Sequence, residues 1–413
     1  MAEAISLAAA RAAVLTCPVE RAPVERVPLA AALGRYLGEP LVADGPWPAT
    51  DRSAMDGFAV CAGSAAIPAG THLPVVGESL AGKPFAGALQ PGQASRIMTG
   101  AVVPAGADAV VPVEQTSGFA SDAVELRADV VAGQNVRPMG SEVAAGQQLL
   151  APGRRIDAAV VGALAVLGVT EVAVVRRPVV AIVATGDEVV PVEQAPLPHQ
   201  VRESNSWALA AQVTECGGQA VRLGIAPDEH DGLRAMLERG LADADVLVTI
   251  GGVSKGTHDL VHGTLQELGV AEVFHGIQLK PGKPTFFGRR EAGGGARFVF
   301  GLPGNPASSF TVFDLLVRPL LRRLLGDQPE TELAELPLGA SAWKPNSRLQ
   351  AVVARLGRGD DGRLAAALAP PTPSGDPFSL LAGDSYVLLP PGARSDELAA
   401  APVVVGGRGA QLP

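Results

Sequence analysis

Between residues 176 and 326 two kinds of segment alternate, and that alternation narrows the fold more than any other feature. Val179-Val180-Ala181-Ile182-Val183, Asp245–Ile250 and Arg297–Phe300 are apolar runs. Helical segments lie between them: one with Trp207, Leu209 and Val213, then Asp231–Arg239 and Val261–Leu268. Short strands fall near Val221–Ile225 and Val273–Ile277, and a long helix begins at Pro306. Strands that alternate with helices are joined by crossovers, which produce a parallel sheet covered on both faces. Strands buried on both faces need continuous apolarity, as these have.

The rest of the chain is different in kind. With 413 residues it is too long for one ordinary core. Residues 1–45 and 141–175 read as a helical and extended linker domain, including a helix Ala158–Leu167 and a strand Val172–Val175. Residues 46–140 hold short β-rich runs such as Val110–Val113 between Gly/Pro turns, which suggests a small β domain. Residues 176–326 form the α/β domain, and 327–413 form a C-terminal β domain with short strands such as Tyr386–Leu389. The fold class is therefore multidomain α/β plus β.

Composition excludes several functions. A net charge of −9 and 4% aromatic residues leave neither a basic footprint nor stacking rings for nucleic acid. Cys17, Cys61 and Cys216 form no C-x-x-C pair and no Cys/His cluster, which suits a reducing cytoplasm and excludes a disulfide framework. No apolar stretch of ~18 residues reads as a membrane span. Glu3 and Arg11 break a signal-peptide pattern, so the N-terminal segment is read as an ordinary helix. His258 and His262, four apart without an evident third ligand, read as a surface pair on a helix. The P-loop, H-E-x-x-H and G-x-S-x-G motifs are absent.

Ligands of an open parallel sheet bind at the carboxyl ends of its strands. Three apolar runs lead there into Gly186-Asp187-Glu188, Gly251-Gly252-Val253-Ser254-Lys255 and Pro303-Gly304-Asn305-Pro306. Each alone is an ordinary tight turn; together they should open on one edge and offer N–H groups to an anion. Asn305 reads as an N-cap with Pro306 at the first helical position. Glu188, Asp228 and Asp259 supply carboxylates, the hard ligands Mg²⁺ prefers alongside phosphate. Lys280-Pro281-Gly282-Lys283-Pro284 holds two ammonium groups in a rigid turn, and Lys255 adds a third nearby. A lone lysine is usually a solvated charge, but a basic cluster within an acidic chain stands out. Such a mixed set can seat a metal-bridged phosphate beside an inorganic oxyanion. In the first half, Asp51–Val60 is the densest segment, although Asp56-Gly57 alone reads as a turn. Arg96–Ala101 and Asn135–Glu142 are further candidates.

The segments S-A-M-D-G-F-A-V, R-I-M-T-G-A, A-T-G-D-E, G-G-V-S-x-G-x-x-D, L-K-P-G-K-P-x-x-F-G and G-L-P-G-N-P-A-S occur in this order. Their order and spacing resemble the molybdopterin molybdotransferases, bacterial MoeA and the C-terminal domain of gephyrin. The resemblance spans essentially the whole chain and is strongest over 46–326. It implies an elongated homodimer with a linker region, a small β domain, an α/β domain of the molybdopterin-binding type and a C-terminal β-barrel-like domain. The implied cleft lies between the α/β and C-terminal domains of one subunit and the small β domain of the other. The implied reaction takes adenylyl-molybdopterin and molybdate, uses a divalent metal such as Mg²⁺, inserts molybdenum and releases AMP. Glu188, Asp228 and Asp259 correspond to acids of the family's cleft, and Asp51 and Thr99 to functional positions in its small β domain. Ser254, Lys280, Lys283 and Ser308 correspond to nucleotide or molybdate positions, and Arg348 and Ser374 to molybdate-contacting positions. Glu142 stands where bacterial members usually carry Asp, and Lys255 where many have an apolar or small residue. The resemblance also implies transient contact with a molybdopterin adenylyltransferase and with apo-molybdoenzymes. The alternatives are an adenylyltransferase, which would not need 1–175 or 327–413, a non-catalytic molybdopterin-binding scaffold, and a tungstate-using version of the same enzyme.

Overall fold

The computed structural model describes residues 4–227, 229–253, 260–292, 295–327, 333–339, 343–359 and 361–404. The chain divides into two compact units. The first combines the chain up to Glu39, Pro152–Gly162 and the chain from Thr170 onward; the second holds Pro40–Ala151 and Ala163–Val169.

The central sheet of the first unit uses β1 (Val179–Thr185), β2 (Gln219–Ala226), β3 (Val246–Ile250) and β4 (Ala271–His275). A short strand that joins a different sheet, β5 (Leu279–Lys280), comes next. It is followed by β6 (Phe286–Ala292) and β7 (Gly295–Leu302). The order is β2-β1-β3-β7-β6-β4. β2, β1, β3 and β7 are parallel neighbours, and β6 runs antiparallel to both β7 and β4. β6 has no counterpart in the sequence reading. Arg289, Arg290 and Glu291 interrupt its apolar pattern, and it pairs with β7 as a hairpin with Ala292 opposite Gly295.

The parallel strands are apolar throughout because alternate residues serve opposite faces. Val180, Ile182, Val246, Val248, Phe298 and Phe300 share one cluster with Leu7, Ala10 and Val14 of α1 (Leu7–Thr16) and with Leu209 and Val213 of α2 (Asn205–Glu215). Ala181, Val183, Leu247 and Val299 face the other way. They meet Leu233, Leu237 and Leu241 of α3 (His230–Asp243) and Val261 and Leu265 of α4 (Leu260–Glu267). The N-terminal segment is thus a docked helix, begun by Ser6, whose hydroxyl accepts the Ala9 N–H at 3.1 Å. Among the described residues, no helix is long and apolar enough to cross a membrane.

The last helical segment, α5, runs as Pro306–Val312, a π-helical turn Phe313–Val317, and Arg318–Leu324. The π turn carries a buried carboxylate. Asp314 Oδ1 accepts hydrogen bonds from Arg318 Nη2 at 2.7 Å and from Gln212 Nε2 of α2 at 2.8 Å. Its Oδ2 accepts from the Tyr386 hydroxyl at 3.1 Å. Burial opposes the Arg318 charge, but the adjoining Asp314 carboxylate outweighs it and raises the Arg318 pKa above its ordinary value.

Tyr386 belongs to a second sheet, built from β5, β8 (Leu333–Pro337), β9 (Leu349–Arg358), β10 (Leu364–Leu368), β11 (Ser385–Leu389) and β12 (Ala400–Val404). The order is β5-β9-β11-β12-β8, with β10 also on β9. One face has its own core of Ala354, Leu356, Val387, Leu389, Ala401 and Val403. From the other, Ala351, Tyr386, Leu388 and Val404 join the cluster around α5.

The second unit is built on a five-stranded mixed sheet in the order Ala109–Pro112, Gly57–Val60, Ala94–Ile97, His72–Ser79, Ala123–Glu125. Phe58, Val60, Leu73, Val111 and Val124 fill one face, and Ala59, Ile97 and Val110 the other. The alternation in Phe58-Ala59-Val60 is what divides them.

Removing one partner of a buried ion pair strands the other charge. Asp314→Ala should therefore lower stability by about 3–5 kcal/mol, and Tyr386→Phe by about 1 kcal/mol. Urea denaturation measures both, and an Asp314→Ala loss as small as that of Tyr386→Phe would show the carboxylate to be dispensable.

Candidate functional site

β1, β3 and β7 are adjacent and parallel, so their carboxyl ends share one edge. β1 runs into Gly186, β3 into Gly251 and Gly252, and β7 into Pro303, Gly304 and Asn305. The loops are tied to one another. Gly251 N–H donates to the Leu302 carbonyl at 3.0 Å, and Thr185 Oγ1 to the Ile250 carbonyl at 3.0 Å. Asn205 Nδ2, at the start of α2, donates to the Gly304 carbonyl at 2.7 Å. Position 251 requires glycine: φ is +84°, and a Cβ would fall 2.8 Å from Thr185 Oγ1.

Glu188 is exposed two residues past Gly186, and its carboxylate lies over that glycine, where a Cβ would come within 2.5 Å of Oε2. Among the described residues its carboxylate has no ion-pair partner. Asp228, Ser254, Lys255 and Asp259 lie outside the described residues.

The lysine pair sits on a fixed turn. The Lys280-Pro281 peptide is cis, Ile277 N–H donates to the Lys283 carbonyl at 2.9 Å, and Thr285 Oγ1 donates to the Gly282 carbonyl at 2.7 Å. Gly282 packs against Val312 of α5. Both lysine side chains are nevertheless exposed. The turn is held from below by the second sheet: Leu279 and Lys280 pair in parallel with Leu349 and Gln350 of β9. Arg348 Nη1 donates to the Leu279 carbonyl at 2.9 Å, which places a guanidinium beside the lysine turn. Fixed cations of this kind stabilise an oxyanion without reorganising at the moment of reaction.

Asn305 occupies the N-cap position of α5 but makes no side-chain cap, contrary to the expectation for an Asn before Pro. Its amide Nδ2 instead donates to Ser374 Oγ at 3.1 Å. The Ala307 N–H donates to the Ser374 carbonyl at 3.2 Å, and the Ser308 and Ser309 N–H groups to the Asn305 carbonyl at 3.0 Å each. The first donors of the helix are thus already used, and its end offers an anion a favourable field but no vacant N–H in that turn. Ser308, within the first turn of α5, is buried. Ser374 is brought to the glycine edge, and Arg348 to the lysine turn.

Asp51 and Thr99 belong to the second unit and are both exposed. Asp51 Oδ1 accepts the Met139 N–H at 2.7 Å, tying the Asp51 loop to the Asn135–Glu142 segment. Glu142 pairs with Arg137 at 2.8 Å, and Arg52 Nη1 donates to the Gly100 carbonyl at 3.0 Å. The Thr99 N–H and hydroxyl both donate to Asp56 Oδ1, at 2.6 and 2.7 Å. Asp56 therefore does more than make a turn. Chain spacing could not reveal this, because its partner comes from a loop beyond three strands.

The Thr99 backbone N–H, then its hydroxyl, hold the Asp56 carboxyl below its ordinary pKa. The ionised form is the one stabilised, so this support should persist above pH ~4 and be lost as pH falls through the lower folded value. The Thr99 amide resonance should titrate below pH ~4 in the unaltered chain and not in Asp56→Asn. A titration retained in Asp56→Asn would assign it to another group.

Residues 1–168 match the family described as the MoeA N-terminal region (domain I and II), and residues 181–323 the family described as a probable molybdopterin binding domain. The molybdopterin molybdenumtransferase of Bacillus subtilis is 36% identical over 381 residues, covering 90% of this chain and 87% of that one. Molybdopterin molybdenumtransferase 2 of Mycobacterium tuberculosis is 38% identical over 333 residues, covering 78% of this chain and 81% of that one. The crystal structure of a molybdopterin biosynthesis MoeA protein from Pyrococcus horikoshii superposes with a TM-score of 0.81 at 30% identity, covering 97% of this chain and 99% of that one. With a glycine-lined strand edge, a fixed lysine turn and relatives of this kind along most of its length, the chain belongs to the molybdopterin molybdenumtransferase (MoeA) family.

Proposed function

We propose that this chain is a molybdopterin molybdotransferase that joins molybdate to adenylyl-molybdopterin and releases AMP, completing the molybdenum cofactor. The observation that carries this reading is the fixed, exposed Lys280–Lys283 turn with Arg348 beside it, in the same unit as the three glycine loops. Two dianionic partners, a diphosphate and an inorganic oxyanion, need such cations. The names of the relatives support the same substrate class.

The chain's own groups divide the work. Lys280, Lys283 and Arg348 hold anionic oxygens and lower their mutual repulsion. Gly186, Gly251, Gly252 and Gly304 let a ligand approach the backbone closely. Asn205 and Ser374 fix the Gly304–Asn305 loop against which it rests. This is positioning with electrostatics, without a covalent enzyme intermediate.

The reading includes Mg²⁺. Glu188, Asp228 and Asp259 would hold it, and their carboxylates are the oxygen donors this ion takes alongside phosphate. Glu188 supports the fit, being exposed and carrying no ion pair among the described residues. Bound there, the ion supplies charge neutralisation at the anhydride. Asp51 and Thr99 belong to the reading as functional positions of the small β domain. It also places the protein in the cytoplasm as a homodimer. It keeps a four-part division with a C-terminal β-barrel-like domain, and transient contact with a molybdopterin adenylyltransferase and with apo-molybdoenzymes.

Lys283→Ala and Glu188→Gln should each lower AMP release from adenylyl-molybdopterin in the presence of molybdate by on the order of 10²-fold. Circular dichroism would confirm that both variants fold. Full activity in both folded variants would overturn the assigned roles.

A further inference from the structure

A second constellation of metal-binding side chains lies on α4 and β4, in residues the proposed reaction does not use. His262 of α4 and Glu272 and His275 of β4 each present a ligand atom within 4.8 Å of the other two. The sequence pairing of His262 with His258 concealed it. The partners of His262 lie on the next strand, and His258 is outside the described residues.

The geometry is that of a site built around its ligands. His262 Nε2 is 2.8 Å from Glu272 Oε2, and the two imidazole rings lie 4.9 Å apart. His275 is buried, with 8% of its surface exposed, and its Nε2 is 3.0 Å from the Val253 carbonyl. A carbonyl accepts only, so Nε2 carries the proton and Nδ1 the lone pair. A backbone carbonyl holding the second ring nitrogen is how proteins orient a ligating histidine. Phe286 meets both rings edge-on, at 5.5 and 5.8 Å, and gives the cluster an apolar wall. Such a wall lowers the local dielectric and strengthens a metal–ligand bond.

We propose that His262, Glu272 and His275 form a binding site for a divalent transition metal of the zinc class. Two imidazoles and one carboxylate match Zn²⁺ or Co²⁺ and do not match Mg²⁺, which takes oxygen ligands. The site is thus different in kind from the carboxylate set assigned to Mg²⁺. It stands on His262, Glu272 and His275 alone and does not depend on the proposed reaction. Through His275 it adjoins Val253, in the loop that leaves β3.

The test uses the full chain, stripped with EDTA and titrated with Co²⁺ by visible absorption and with Zn²⁺ by calorimetry, both with and without millimolar Mg²⁺. One equivalent of Zn²⁺ and of Co²⁺ should bind, insensitive to Mg²⁺. Glu272→Gln and His262→Gln, at partly exposed positions, should each weaken binding by at least about 10-fold, as should His275→Gln if it folds. His199→Gln, an exposed histidine elsewhere, should leave the titration unchanged. Binding that is absent, that persists in Glu272→Gln and His262→Gln, or that is lost in His199→Gln would overturn the proposal.

Discussion

The first unit is organised around one buried carboxylate. Asp314 binds Gln212 of α2, Arg318 of its own helix and Tyr386 of the C-terminal sheet. An isolated charge buried there would be strongly unfavourable; a charge with several donors is tolerable only while every donor stays in place. That condition fixes α2, α5 and β11 relative to one another. α2 begins at Asn205, which holds Gly304, and α5 begins at the Asn305 loop, which holds Ser374. The same network that stabilises the core therefore aligns parts of the glycine edge.

The electrostatic character of that edge follows from an imbalance. The chain carries a net charge of −9, yet Lys280, Lys283 and Arg348 gather at one turn. A glycine at φ +122° and hydrogen bonds from Ile277 and Thr285 keep the turn in place while both ammonium groups face solvent. Mobile lysines would lose conformational entropy on gripping an anion; fixing the backbone in advance reduces that loss. The end of α5 contributes less than its position suggests, because Asn305 and Ser374 already take its first donors.

Much of this was legible in the sequence, and the rest was hidden for identifiable reasons. Val179–Val183, Asp245–Ile250 and Arg297–Phe300 announced parallel strands because burial on both faces demands continuous apolarity, and parallel neighbours put their trailing loops on one edge. β6 was hidden because Arg289, Arg290 and Glu291 break that signal. The pairing of Leu279-Lys280 with Leu349-Gln350 was hidden because two residues carry no periodicity and the partner lies far along the chain. Asn305 was legible as the N-cap of α5 with Pro306 opening the helix, but its side-chain partner, Ser374, was not, because it lies 69 residues further along the chain. The Asp56–Thr99 and His262–Glu272–His275 groupings are of the same sort: folding, not spacing, brings them together.

The most direct measurement follows one sample of purified protein through a single turnover with adenylyl-molybdopterin, Mg²⁺ and molybdate, counting AMP and pterin-bound molybdenum together. Equal amounts of both, with neither formed when molybdate is withheld, are the expected result. Tight binding of the pterin nucleotide without AMP release, or AMP release that leaves no molybdenum on the pterin, would contradict the assignment of molybdenum insertion to this chain.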